Sequence, residues 1–134
     1  MTTPTATAEN SSLNLRLATQ INKYVDQALS RPAGSWPEAL DYEARQELLK
    51  EVARHALAHP NSLDMVNWHS DCGTAHCIAG WAIHLAGAQG YALEGRFGAS
   101  GAGCLLLGAP AESHFHDSNS DAEDFLLSVL NERE

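Results

Sequence analysis

Three cysteines, two methionines and five prolines are all that this chain of 134 residues holds of those types. Three cysteines cannot all pair within one chain, so a disulfide scaffold is excluded and free thiols in a reducing cytoplasm are expected. Long apolar runs are also missing. The longest, Cys77 to Ala88, is interrupted by His84 and falls well short of the roughly 20 residues that cross a bilayer, so no membrane association is expected. Residues 1–12 lack both a basic start and an apolar block, so they read as a disordered lead-in rather than a secretory signal, ahead of a single domain over 13–134. Positive charge is scarce as well, with 8 Lys and Arg against 17 Asp and Glu for a formal net charge of −9. The deficit is uneven: residues 1–59 hold seven acids and six bases, whereas 60–134 hold ten acids and only Arg96 and Arg133. Such a surface repels phosphate backbones, which argues against a nucleic-acid partner, and it steers a basic protein toward the C-terminal half.

What the chain does have is helical periodicity. Leu13, Leu17, Ile21, Tyr24, Val25, Ala28 and Leu29 recur at three- and four-residue steps and predict a first amphipathic helix ending near Arg31-Pro32. Ser35-Trp36-Pro37-Glu38 offers a capping-box start for the second, with Asp41 as a competing start. Its stripe is Leu48, Leu49, Val52, Ala53, Ala56 and Leu57, stopped by Pro60. Residues 61–71 show no helical period and read as an irregular crossing anchored by Leu63, Met65, Val66 and Trp68. A third helix, capped by Thr74 or Asp71 and running over about 75–88, is apolar or small on nearly every face and is expected at the centre of the fold. Residues 90–103 are rich in glycine and read as a connection, with Ser100 capping a short turn beyond it. Ser120-Asp121-Ala122-Glu123 opens a last helix carrying Phe125, Leu126, Val129 and Leu130. The fold class that follows is all-α, a compact bundle of about four helices around the central one.

Chemistry-bearing side chains concentrate at the start of that central helix. Trp68 to Trp81 holds two of the three cysteines, two of the seven histidines and two of the three tryptophans. With Thr74 as cap, Cys77 is the third helical residue, where free N–H groups and the helix dipole favour a thiolate. A nucleophile needs a base within about 3 Å. His84 stands about 10 Å further along the axis, and His76 points about 100° away around it. A base would therefore come from elsewhere: His69, His55, His59, His114 or His116. The competing reading makes Cys77 an inert core thiol and His76 a surface or capping residue. A metal reading would use Cys72, His76 and Cys77, completed by His69 or by His114 and His116, since zinc takes these ligand types; the spacing lacks a second short pair, so no cofactor is expected.

The run Cys72-Gly73-Thr74-Ala75-His76-Cys77-Ile78-Ala79-Gly80-Trp81, with Leu63-Asp64-Met65, Trp68-His69, Gly90-Tyr91-Ala92-Leu93-Glu94 and Phe115-His116-Asp117-Ser118-Asn119 around it, resembles a set of small uncharacterised bacterial and phage-encoded proteins. The resemblance covers roughly the second half of the chain and implies no reaction, substrate or ligand. Three readings stand on the residues themselves. The first is a small acidic helical interaction module of inhibitor, immunity or regulatory type, binding a basic protein through Trp68, Asp117, Asp121, Glu123 and Asp124. The second is a cysteine-dependent enzyme of acyl-transfer or thiol-redox type, with Cys77 as nucleophile and His69, His76 or His114 as base. The third is a zinc-stabilised helical domain.

Overall fold

In the computed structural model the described residues are 13–59, 61–69 and 75–131. They form six helices: α1 Leu15–Leu29, α2 Tyr42–Ala56, α3 Ile78–Leu85, α4 Gly87–Leu107, α5 Ala109–Glu112 and α6 Asn119–Asn131. The all-α bundle expected from periodicity is the fold observed. The lead-in at 1–12, the Pro60 stop and the proposed caps Asp71 and Thr74 lie outside the described residues.

Helix α1 starts at Asn14, whose side chain accepts the Leu17 N–H, and it buries Leu17, Ile21, Val25 and Ala28 as the stripe requires. Helix α2 buries Leu48, Leu49, Val52, Ala53 and Ala56. Its cap is Asp41 and not Ser35. The preceding residues are drawn out of helical geometry because Leu40 N donates to Leu105 O at 2.8 Å and the Tyr24 hydroxyl donates to Glu38 O at 2.6 Å. Helix α3 is the centre: every residue except His84 is buried, and it packs against both α2 and α4. Helix α1 lies on α2 and α4, and α6 lies on α2.

Four expectations are corrected here. The central helix begins at Ile78, not near 75, because His76 is held extended between two neighbours: Asp64 N donates to its carbonyl and its own N–H donates to Ser62 O. Residues 90–103 are not a connection but the body of α4, bent at Gly98, whose φ of 83° breaks the helical run. Gly90, Gly101 and Gly103 stand where other atoms approach closely, and Gly98 supplies the bend. A side chain at Gly103 would meet Ala79 Cβ at 2.5 Å and the Phe115 ring at 3.0 Å, so intrinsic propensity is overridden by close approach. Helix α6 starts two residues earlier than the Ser120 box predicts, with the Ser118 hydroxyl accepting the Asp121 N–H. Of the crossing segment, Leu63 is buried and Met65 and Trp68 pack on the core, while Val66 is 88% exposed and anchors nothing.

Candidate functional site

The crossing segment ends beside the start of α3, and the two make a cluster of imidazoles. Trp81 fixes its position, since its indole N–H donates to Ser62 O at 2.8 Å, the same carbonyl that accepts from His76 N. Gly80 permits it, because Trp68 passes where a Cβ on residue 80 would stand. His76, expected at the surface or in a cap, is wholly buried. Its Nδ1 lies 2.8 Å from Nδ1 of His69, the two rings being nearly perpendicular at 82°. The other nitrogen of His69, Nε2, is 3.1 Å from both carboxylate oxygens of Glu94 on α4. His84 stacks on His76 with ring centroids 4.6 Å apart, and its Nδ1 meets the Tyr91 hydroxyl at 2.9 Å. Trp81 presents an edge to His76 at 4.8 Å.

This is a hydrogen-bonded chain of carboxylate, imidazole and imidazole, walled by a second His-Tyr pair. A carboxylate only accepts, so His69 Nε2 carries a hydrogen, and one hydrogen is shared between the two facing Nδ1 atoms. Burial pushes the His84 imidazole below its usual range, assisted by charge on His69 and His55. Burial likewise raises the Tyr91 phenol, with the Glu94 carboxylate adding to it. The sequence reading missed Glu94, Tyr91 and the part played by His84. The only available signal was their presence in one motif-dense stretch, because a register across two helices and a crossing loop cannot be counted along the chain.

Cys77 occupies a separate position. It caps α3, its Sγ accepting the Gly80 N–H at 3.3 Å, and it is 2% exposed. The expected thiolate at a third helical position is thus replaced by a capping thiol, and burial drives its pKa up to about 11 against the partial relief of neighbouring N–H groups. The histidines considered as its base are engaged elsewhere: His69 with His76 and Glu94, and His114 with Asp117 at 2.7 Å, stacked on Phe125. His55 Nδ1 lies 2.8 Å from Glu51 O, and His59 is exposed. His116 alone of them lines the same cavity as Cys77, a space of about 240 Å³ bordered also by Met65, Val66, Asn67, Trp68 and Phe115. The proposed metal ligand Cys72 lies outside the described residues, and among the described residues no three His, Cys, Asp or Glu side chains are grouped to hold a metal.

Of the acidic candidates, Asp121, Glu123 and Asp124 lie on α6, and Asp117 precedes it. Ala122, Leu126 and Val129 turn inward, leaving Asp121, Glu123, Asp124, Leu127 and Ser128 on one exposed arc. Asp117 is held by His114; among the described residues Asp121, Glu123 and Asp124 have no cationic partner within 4.0 Å. The arc is tied to the cavity: the Asn119 side chain accepts from Met65 N at 2.8 Å and donates to Leu63 O at 3.0 Å.

Fold and sites together define a small helical domain with a buried imidazole cluster and an acidic flank. No family model, curated protein or solved structure matches the chain. Among the described residues no helix is long and apolar enough to cross a membrane.

Proposed function

We propose that this chain is a small helical interaction module of inhibitor, immunity or regulatory type that binds a basic protein partner through α6 and the adjoining Trp68 cavity. One juxtaposition carries the reading. Three carboxylates without an ion-pair partner among the described residues share a helix face with Leu127, which is 49% exposed, and the same helix is stapled by Asn119 to the rim of a 240 Å³ cavity where Val66 stands 88% exposed. Specific interfaces take this form, a desolvated anchor inside a charged rim. A partner side chain would enter the cavity that Trp68 and His116 border while Lys or Arg residues beside it meet Asp121, Glu123 and Asp124. Charge complementarity of this kind speeds encounter and selects against acidic competitors.

The test uses an array of peptides that pair an apolar anchor with flanking Lys or Arg, next to charge-matched peptides without the anchor. The expected result is preferential binding of the anchored peptides that weakens steeply with salt. A triple Asp121→Asn, Glu123→Gln, Asp124→Asn variant should bind about tenfold or more weakly, mainly through slower association. Binding that follows net charge alone, or that survives the triple substitution at low salt, would count against the assignment.

A further inference from the structure

We propose that the groove between the C-terminal half of α1 and the connection to α2 binds a proline-rich peptide in the polyproline II conformation, read by the ring of Trp36 and the carboxylate of Glu38.

Trp36-Pro37-Glu38, part of the box that does not cap α2, forms one wall of a cavity of about 500 Å³. Tyr24, Gln27 and Arg31 form the other, and no lining residue is shared with the Trp68 cavity. The walls are braced. Trp36 packs on Phe97 of α4 with ring centroids 4.8 Å apart, and Gly101 leaves it room, since a Cβ there would stand 2.8 Å from the indole Cη2. The Tyr24 hydroxyl donates to Glu38 O at 2.6 Å and Arg31 Nε donates to Ser35 Oγ at 3.0 Å. Arg96 donates to the carbonyls of Leu29, Arg31 and Pro32 and so ties the end of α1 to α4. A site fixed before binding loses less order when it is filled. Trp36 nevertheless stays 57% exposed, and a large aromatic that is held in place yet uncovered is the kind of side chain that anchors an interface.

The uncommitted polar groups define the ligand. Among the described residues the Trp36 indole N–H, the terminal guanidinium nitrogens of Arg31 and the Glu38 carboxylate meet no hydrogen-bond or ion-pair partner. The first two can only donate, and the Gln27 amide can serve in either sense. An ordinary peptide brings as many N–H groups as carbonyls. Proline brings no N–H, and a polyproline II chain leaves its carbonyls without internal bonds. A proline-rich segment is thus rich in acceptors where the walls offer donors, and its rings lie against Trp36, Tyr24 and Pro37. Its conformation is set in advance, which keeps the ordering cost low. Glu38 takes a Lys or Arg at one end of the segment and so fixes the direction of the bound chain.

The experiment adds a fluorescent peptide of Pro-Pro-Leu repeats ending in Arg to the full chain, read by anisotropy, with the tryptophan indole N–H signals followed by NMR. The expected result is saturable binding of one peptide per chain. The Trp36 signal, identified by its absence in Trp36→Phe, should move while those of Trp68 and Trp81 stay. Trp36→Ala, at an exposed position, should keep native circular dichroism and bind at least about tenfold more weakly; Trp36→Phe, which keeps a ring and loses the donor, should fall between. Glu38→Gln should erase the preference for the Arg-ended over an Ala-ended peptide and leave binding of the Ala-ended one unchanged, a pattern that a merely structural glutamate would not give. A peptide with alanine at every proline should bind more weakly than the parent peptide. No saturable binding by the folded chain, equal binding of the alanine peptide, undiminished binding by Trp36→Ala, or movement of the Trp68 signal in place of the Trp36 signal would each overturn the site.

Discussion

Replacing Gly80 by alanine sets two physical effects against each other. On propensity alone the substitution stabilises a helix by about 1 kcal/mol. In this fold a Cβ at residue 80 overlaps the carbonyl oxygen of Trp68 and lies 2.9 Å from its carbon and 3.0 Å from His76 Cβ. The obstacle is backbone, so no side-chain rotation relieves it, and the crossing segment must retreat. Overpacking of this kind costs about 1–3 kcal/mol. Retreat of Trp68 also pulls on His69, whose bonds to His76 and Glu94 are worth about 1–2 kcal/mol together once their partial exposure is allowed for. The net expectation is a loss of about 2–3 kcal/mol after the propensity gain. Urea unfolding followed by circular dichroism reads it as a lower midpoint at nearly constant slope. Gly95 supplies the control, since it lies in α4 with nothing within 4 Å of an added Cβ; Gly95→Ala should leave stability unchanged or raise it by up to about 1 kcal/mol. Equal behaviour of the two variants would refute the packing of Trp68 against α3 on which the imidazole cluster rests.

Two further outcomes follow from the same contacts. Because burial raises the Cys77 thiol to about 11 from the usual 9.0, the unfolded chain ionises first as pH rises. Its contribution is complete below pH 9 and is lost as pH climbs to 11. The parent should therefore lose about 2–3 kcal/mol relative to Cys77→Ala over that interval, and parallel alkaline unfolding curves would contradict a buried protonated thiol. Asn119→Ala removes an acceptor for Met65 N and a donor to Leu63 O; a cost of about 1–2 kcal/mol is expected by urea unfolding, with faster amide exchange confined to residues 63–69. Unchanged exchange there would show that α6 does not hold the crossing segment.

Particular elements show where sequence reading succeeds. Helices α1 and α2 bury the residues that the three- and four-step pattern selects, because a surface helix has one apolar face and one solvated face. A glycine-rich composition reads as flexibility, whereas Gly90 and Gly103 sit inside α4 where a neighbouring carbonyl or ring leaves no room for a side chain. The start of α3 misled for a related reason: Thr74 and Asp71 are good caps by type, but His76 is claimed by Ser62 and Asp64, so helical geometry begins only after Cys77.

Determined by the sequence itself were the all-α class, the inward faces of α1, α2 and α6, the central place of the apolar stretch around Ile78 to Leu85, and the acidic bias of the C-terminal half. Each is a matter of local period or of summed charge, which survive without knowledge of neighbours. Only tertiary structure decided that His69 faces His76 and Glu94, that His84 stacks on His76, and that Cys77 is a buried cap. Those relations depend on how a non-periodic crossing segment lies against two helices. Packing sets that register, through Gly80, Trp81 and the carbonyl of Ser62, and no periodicity along the chain encodes it.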